Sequence, residues 1–423
     1  MSHYSNSYFP NQTVSDAEKL SYEYGLKVGK AIEQEWFNND RGSGRYNENH
    51  NDFHNLRLYA RGEQSVQKYK DELSINGDLS YLNLDWTPVP IISKFVDIVV
   101  NGMSDRIYDI KATSQDPYGV AKRTEYMESV LKDMRSKEFN AFAKSKFGVD
   151  YGENKESELP ETEEELQLHM QLTYKQEIEI AEEQALNVLM RGNNYDLIQK
   201  RFYYDLTVLG IGAVKTNFNT SEGVTIDYVD PANLVYSHSD SPYFDDIYYV
   251  GEVKTIPINE LAKQFPHLSE SDLLEIQKGK SYNRDGTNTR SHDKQDNNTV
   301  QVLYFNYKTY MNEVYKMKET ASGGEKAIEK DDNFNPEDNE NFSKMARSIE
   351  CVYEGAKVLG GNQLLKWEMC KNMTRSKSDY TKVKMNYDIV APRMYNGKIE
   401  SLVGRITGFA DMIQLTHLKL QQV

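Results

Sequence analysis

"DLTVLGIGAVKTNFNTSEGVTIDYVDPANLVY" occupies residues 205 to 236 and sets a Gly-x-Gly pair, Gly210 and Gly212, beside a run of alternating apolar residues. A phosphate-gripping loop needs a strand first, then the glycines, then a helix whose free N–H groups face the phosphate. Here the order is reversed. Tyr195, Ile198, Phe202, Leu206 and Leu209 recur at helical spacing before the glycines, and AVKTNF follows them as a strand with Val214, Thr216 and Phe218 on one side. The glycines therefore read as a helix stop and a tight turn. NTSEG is the turn of a hairpin, and VTIDYV returns with Val224, Ile226 and Tyr228 alternating against polar neighbours. Asp230-Pro231 ends that strand, because proline lacks the N–H that a ladder needs.

Beyond this stretch the same periods continue. NLVY starts a short extended piece, DDIYYVGEVKTI (245–256) is a further strand, and Pro257 opens a helix with Ile258, Leu261, Ala262 and Phe265 inward that Pro266 closes. Upstream, Pro90 opens a helix whose Ile92, Phe95, Val96, Val99 and Met103 share a face. Its IISKFVDIVV run is about half a membrane span long and carries Lys94 and Asp97, so it reads as a buried helix and not an anchor. Pro160 opens a helix whose first turn, ETEEE, suits the positive end of a helix dipole, and Ile178, Ala181, Ala185 and Val188 extend its buried stripe to the GNN break at 192–194.

Composition bounds the function. The 423 residues suffice for two or three domains with cores, and 38% hydrophobic content with 30 Tyr marks a globular chain. A net charge of −15 argues against a protein that coats nucleic acid, which needs many Lys and Arg to displace phosphate counterions, although passing contact with DNA stays open. Cys351 and Cys370 have no neighbours at metal-ligand spacing, which speaks against a disulfide framework or a zinc site and fits a reducing compartment. The N-terminus lacks a basic segment followed by an apolar core, so no secretory signal is read.

The order of elements from 195 to 266 resembles the wing region of the portal proteins of tailed bacteriophages. LRLYARGEQSVQKYK followed by IISKFVDIVVNGMSDRIYDIKATSQDP is similar to that family's start, and IVAPRMYNGKIESLVGRITGFADMIQLTHLKLQQV to its entry into the long channel-side helix. The likeness is nearest to portals of crAss-like phages and runs in order over most of 52–423. It implies an α+β portal-type fold with a polar arm over 1–51, a wing of helices and hairpins over 52–299, a strand-rich clip over 300–390, and the start of a stem helix over 391–423. It also implies continuation into stem and crown in a complete portal.

Portals are not enzymes, and the packaging ATPase is a separate terminase. The family implies a homo-oligomeric ring, typically a dodecamer, at one capsid vertex of the virion, assembled in the host bacterial cytoplasm. Partners would be the major capsid protein, terminase, the head-tail adaptor and double-stranded DNA passing through the channel, with no membrane. No catalytic residue, cofactor or metal is expected. A different class also stays in play: another virion protein, such as an ejected internal protein, or a nucleic-acid enzyme with an unrecognised site.

Within the clip range, residues 300–319 and 348–373 look like two hairpins, the second turning at GGN, while 280–298 and 319–342 read as polar loops or insertions. KNMTRSKSDYTKVK (371–384) runs against the overall charge with Lys371, Arg375, Lys377, Lys382 and Lys384. It is either a solvated loop or a clip surface that meets an acidic partner or DNA phosphate. His50 and His54, with Glu48 and Asp52 beside them, have the residue types of a metal site but lie in a polar stretch where an ordinary surface cluster is favoured. His417 falls on the stripe of Ile406, Phe409, Ile413 and Leu420, which reads as a packed or interface position.

Overall fold

The structure is a computed structural model that describes residues 9–37, 45–74, 83–104, 110–114, 116–148, 162–172, 174–219, 223–278, 298–319, 324–331, 334, 342–376 and 378–422. In chain order the helices begin with α1 (Asp16–Lys19), α2 (Tyr22–Phe37), α3 (Arg45–Arg61), α4 (Gln67–Leu73) and α5 (Ile91–Ser104). Next come α6 (Pro117–Phe147), α7 (Glu163–Leu172), α8 (Glu177–Gly192) and α9 (Tyr195–Val208). Strands β1 (Gly212–Asn219), β2 (Gly223–Val229), β3 (Leu234–Tyr236) and β4 (Tyr249–Pro257) lead to α10 (Ile258–Gln264) and α11 (Glu270–Lys278). The strand-rich part holds β5 (Thr299–Glu319), β6 (Glu325–Lys330), β7 (Phe342–Val358), β8 (Leu364–Met369), β9 (Thr374–Ser376) and β10 (Asp379–Lys384). It closes with β11 (Tyr387–Val390), β12 (Met394–Tyr395), β13 (Lys398–Ile399) and the helix α12 (Leu402–Gln422). Helix and sheet are mixed, the α+β class expected.

The chain divides into two compact units, one of residues 1–105 with 197–423 and one of 106–196. In the first, an antiparallel sheet has the order β3-β4-β5-β7-β8, with β6 added along the far end of β5. Side chains alternate between faces along a strand. Leu303, Phe305 and Tyr307 of β5 thus pack with Tyr24, Val28 and Ile32 of α2. Val300 and Val302 point the other way, against Leu261 of α10, Phe265 just beyond its end and Ile276 of α11. The 1–51 stretch is therefore not polar throughout: apolar residues at 24, 28, 31 and 32 share one helical face and are buried. Lys357, fully buried on β7, ties α2 down by donating to the Glu33 carboxylate and, at 2.8 Å, to the Gly361 carbonyl.

A second sheet of order β11-β1-β2 packs with α3, α5 and α12 in another core, which Leu234 and Tyr236 of β3 and Val250 of β4 also enter. The expected hairpin is present, pairing Ala213 with Val229 through Asn219 with Gly223. Its core side is Ile211 and Ala213, while Phe218, on the side with Val214 and Thr216, is exposed. β11 joins β1 from more than 160 positions away, with Gly212 opposite Val390 and Lys215 opposite Tyr387.

Several sequence expectations need correction. Residues 299–319 are one continuous strand, and β6, inside the stretch read as a polar insertion, supplies its return; 279–297 lies outside the described residues. The β7–β8 hairpin does turn at Gly360, which has φ +75°. One sheet runs across the 299/300 division, since β4 pairs with β5 from Tyr249–Tyr307 to Pro257–Thr299. Helix α5 buries Ile92 and Val96 but leaves Phe95 and Ile98 exposed, because only one of its faces is covered. In α12 the buried face is Val403, Ala410, Gln414 and Leu418, whereas Phe409, Ile413, His417 and Leu420 face outward. Gln414 takes the inner side because its amide meets the backbone of Thr87 and Val89, accepting from Val89 N–H at 2.9 Å and donating to the Thr87 carbonyl at 3.3 Å.

The unit of residues 106–196 is helical. Two helices, α7 and α8, stand where one was expected after Pro160, and Ile178, Ala181, Ala185 and Val188 are exposed instead of forming a buried stripe. Its small core is Val130 of α6 with Leu166 and Met170 of α7. α8 is held by polar contacts, with Glu179 accepting from Ser114 N–H at 2.8 Å and Glu183 from Ala112 N–H at 3.0 Å.

Candidate functional site

The basic stretch 371–384 is a folded hairpin and not a loop. β9 and β10 pair with Asp379 opposite Ser376, Val383 opposite Arg375 and Lys384 opposite Thr374, with a register shift between Asp379 and Val383. Val383 and Met373 pack on Val352 and Cys370. Glu350 of β7 anchors the hairpin at two points: its carboxylate accepts from Val383 N–H at 3.0 Å, and its carbonyl from Arg375 Nη2 at 2.6 Å. Arg375 also donates from Nη1 to the Tyr380 carbonyl at 3.0 Å. These bonds commit the guanidinium to the hairpin itself, so Arg375 holds the surface together instead of presenting charge. Lys371, Lys382 and Lys384 are exposed, Lys382 with its ammonium 3.8 Å from Asp379, and Lys377 lies outside the described residues. A hydrogen-bonded hairpin that projects three exposed ammonium groups can recruit an anionic surface and orient it, while adding little to folding.

The glycine pair divides into two roles. Gly210 has φ +82° and its N–H donates to the Asp205 carbonyl at 3.1 Å, as a helix stop requires. Gly212 has no positive φ and sits within β1; a Cβ there would lie 2.6 Å from the Phe202 ring. It is needed for close approach and not for a turn.

Around the glycines the quoted stretch supplies a polar network that sequence reasoning did not find. Arg57 of α3 grips Asp230 with both Nη atoms, at 3.1 and 2.6 Å, and reaches Asp205 of α9 at 3.3 Å. Tyr228 of β2 donates to the other Asp205 oxygen. Asp230 also accepts from Ala232 N–H at 3.0 Å, which caps the 3-10 turn Pro231–Asn233. Burial pushes Asp205 up to about 6, against the opposing pull of Tyr228 and Arg57. Burial acts against the Arg57 charge too, yet the two carboxylates hold the guanidinium firmly protonated. The arrangement cross-links α3, α9 and the hairpin. The signals for it are the Arg in LRLYARG and the Asp in DPAN, whose meeting no local pattern encodes.

A second polar joint links the two sheets. The Lys215 ammonium of β1 lies 4.9 Å from the Tyr387 ring and 5.6 Å from that of Tyr304. Burial lowers its pKa and raises that of Glu252, whose carboxylate is 3.2 Å from Lys254.

Other singled-out residues are not brought together. His54 and Asp52 are exposed on α3, the His50 and Glu48 side chains lie outside the described residues, and His417 is exposed with its ring nitrogen 2.9 Å from Gln421 Nε2. His417 is thus not packed within the chain. Cys351 and Cys370 are buried free thiols, Cys351 pushed up to about 11 by burial. Among the described residues no group of three or more His, Cys, Asp or Glu could hold a metal ion, and no helix is long and apolar enough to cross a membrane. No protein-family model matches the chain, and no curated protein matches it.

Proposed function

We propose that this chain is the subunit of a bacteriophage portal: a ring at one capsid vertex that serves as the channel for DNA packaging and ejection and as the dock for terminase and tail adaptor. The observation that carries the reading is the uncovered apolar surface on two neighbouring helices. Phe95 and Ile98 of α5 are 56% and 68% exposed, and Phe409, Met412 and Leu420 of α12 are 64%, 58% and 70% exposed. Each such side chain contributes about 1.5–3 kcal/mol when fully buried, so leaving several in water is costly for a monomer. Repetition of one subunit around an axis covers such faces with a different patch of the next copy, the head-to-tail contact that closes a ring.

Further support comes from the order of α9, the Gly210 stop, the β1–β2 hairpin, the Asp230-Pro231 corner, β4 and α10, which matches the order that suggested the portal family. In this reading the chain performs no chemistry. Its net charge of −15 disfavours coating of DNA by the surface as a whole, so DNA slides past and any contact with phosphates is confined to local basic patches, while the lysines at 371, 382 and 384 belong to the docking side.

The test is direct imaging of purified protein in negative stain, with mass measured in solution. Rings with a central hole, lost in a Phe409→Glu/Leu420→Glu variant that keeps its helical signal, are expected. A wild-type protein that stays monomeric at high concentration, with no ring in any field, points instead to another virion protein or a nucleic-acid enzyme.

A further inference from the structure

Strands β5 and β7 stay paired from Val302–Val358 to Lys318–Phe342, and the far end of this ladder is widened by β6. Residues directly opposite one another in an antiparallel ladder share a face. Lys318 faces Lys326, Lys316 lies between Ile328 and Lys344, and Val314 lies between Lys330 and Ala346. Five lysines from three strands, Lys316, Lys318, Lys326, Lys330 and Lys344, therefore share one face. Glu313, Glu325 and Glu329 fall on the opposite one by the same alternation, and Glu313 is already bonded to Arg347 at 2.8 Å.

This segregation has an energetic consequence. Like charges directly opposite are destabilising in a sheet, and here Lys318 meets Lys326 and Lys316 meets Lys344. Lys318, Lys326, Lys330 and Lys344 are exposed and make no ion pair among the described residues. The connecting stretch 331–341 adds Asp331, Asp332, Glu337, Asp338 and Glu340, so what distinguishes the ribbon is the sorting of charge between its faces and not the net charge of the region.

We infer that this face of the three-stranded ribbon binds the phosphate backbone of duplex DNA. The choice of duplex as the polyanion rests on the portal reading; the basic face does not. A protein partner is disfavoured by what the face lacks. Interface hot spots are built on Trp, Tyr and Arg around a desolvated centre, whereas the non-lysine positions here are Val314, Ile328, Ala346 and Phe342, none of them Trp, Tyr or Arg, with Val314 already buried. Lysines spread over three strands, with no Arg, Asn or Gln among the positions that share this face where the three strands pair, match sequence-independent contact with phosphates.

The experiment is fluorescence anisotropy of the full chain with a short labelled duplex of arbitrary sequence across a salt series. Each neutralised phosphate contributes about −0.9 to the slope of log affinity on log salt, so four contacts predict a slope of about −3.6 and about 150-fold weaker binding at 200 than at 50 mM. Replacing Lys318, Lys326, Lys330 and Lys344 with Gln is expected to abolish that slope and the binding at low salt. Replacing Lys200, Lys263 and Lys398, three exposed lysines elsewhere on the chain, with Gln should leave both in place. Equal binding by wild type and ribbon variant overturns the inference, and so does equal loss in both variants, which would reduce the effect to overall charge. Binding of poly-glutamate without binding of the duplex also overturns it, in favour of an acidic protein partner. Oligomeric state is read in parallel. Rings that bind no duplex through the ribbon refute this inference and leave the portal reading standing; a monomer whose ribbon binds the duplex does the reverse.

Discussion

Gly210→Ala is the sharpest perturbation of the stretch on which the fold turns. Gly210 holds φ +82°, in the left-handed region that costs a residue with a Cβ about 1–2 kcal/mol. A Cβ there would also lie 2.7 Å from the Glu400 carbonyl oxygen and 2.9 Å from its carbon. Those atoms are backbone in the short link between β13 and α12, so they cannot rotate away, and forcing them apart adds about 1–3 kcal/mol. A total loss of about 3 kcal/mol is expected, read by urea denaturation followed through the helical signal. Gly212→Ala provides the contrast. Its backbone is ordinary and its obstacle is the Phe202 ring, so a loss of about 1–3 kcal/mol should be largely recovered in Gly212→Ala/Phe202→Leu, while no side-chain substitution rescues Gly210→Ala. Neither variant should change ATP binding, which is expected to be undetectable in the wild type. Gly210→Ala within about 0.5 kcal/mol of wild type would refute the helix-stop reasoning, and saturable ATP binding lost on substitution would restore the phosphate-loop reading.

Asp205→Asn tests the buried network through pH. With its folded pKa raised to about 6, Asp205 contributes stability that is present below about 4 and lost as pH rises to 6, so wild type minus variant should fall by about 3 kcal/mol across that window and then stay level; a flat difference in paired denaturation curves contradicts it. Arg375→Gln, which breaks the bonds to Glu350 and Tyr380, should cost about 1–3 kcal/mol, whereas Lys371→Gln/Lys382→Gln/Lys384→Gln should change stability by less than about 1 kcal/mol. In the portal reading that triple variant docks more weakly on terminase or adaptor at low salt, and equal, salt-insensitive docking would leave the hairpin an ordinary surface. Glu33→Gln strands the buried Lys357 charge and should cost about 3–5 kcal/mol by thermal or chemical melting, with recovery when Lys357→Met is added.

What the sequence discloses and what it withholds divide along contact range. The α9 stop, the β1–β2 hairpin, the Asp230-Pro231 corner and α10 with its inward Leu261, and Phe265 just beyond its end, follow from periods of two and near four and from glycine and proline chemistry, all within about a dozen residues. The pairing of β11 with β1, and of β7 with β5, joins distant segments, and nothing local specifies the partner. Faces fail for a related reason. α12 has two apolar stripes, and the one that looks more hydrophobic is outside because a glutamine satisfies its amide against Thr87 and Val89 on the other. The lysine face was hidden because its members lie in three strands, one of them inside a segment whose polarity reads as a loop. Of the basic stretch, the charges were visible, but not that Arg375 is spent on its own hairpin.

The opening stretch also shows why charge near a glycine pair is weak evidence for a ligand. Asp205, Tyr228 and Asp230 all belong to it; the two carboxylates converge on Arg57 from a helix some 150 positions earlier, and Tyr228 donates to Asp205. Desolvating these groups is expensive, and apolar residues of similar volume often do as well in stability. What the polar set adds is geometry: a forked guanidinium bonded to Asp230 at two oxygens admits one orientation of α3 over the hairpin, whereas an apolar contact tolerates sliding. Helix α3 in turn carries Tyr59, whose hydroxyl donates to Asp411 of α12 at 3.0 Å, an acceptor shared with Tyr69 at 2.7 Å and Lys68 at 2.5 Å. Two polar clamps on one helix thus fix the hairpin and α12 relative to each other, and with them the direction in which Phe409, Met412 and Leu420 point. In the portal reading, where the uncovered face has to meet a neighbouring copy at a repeatable angle, fixing that direction matters more than any further stability the same positions could supply.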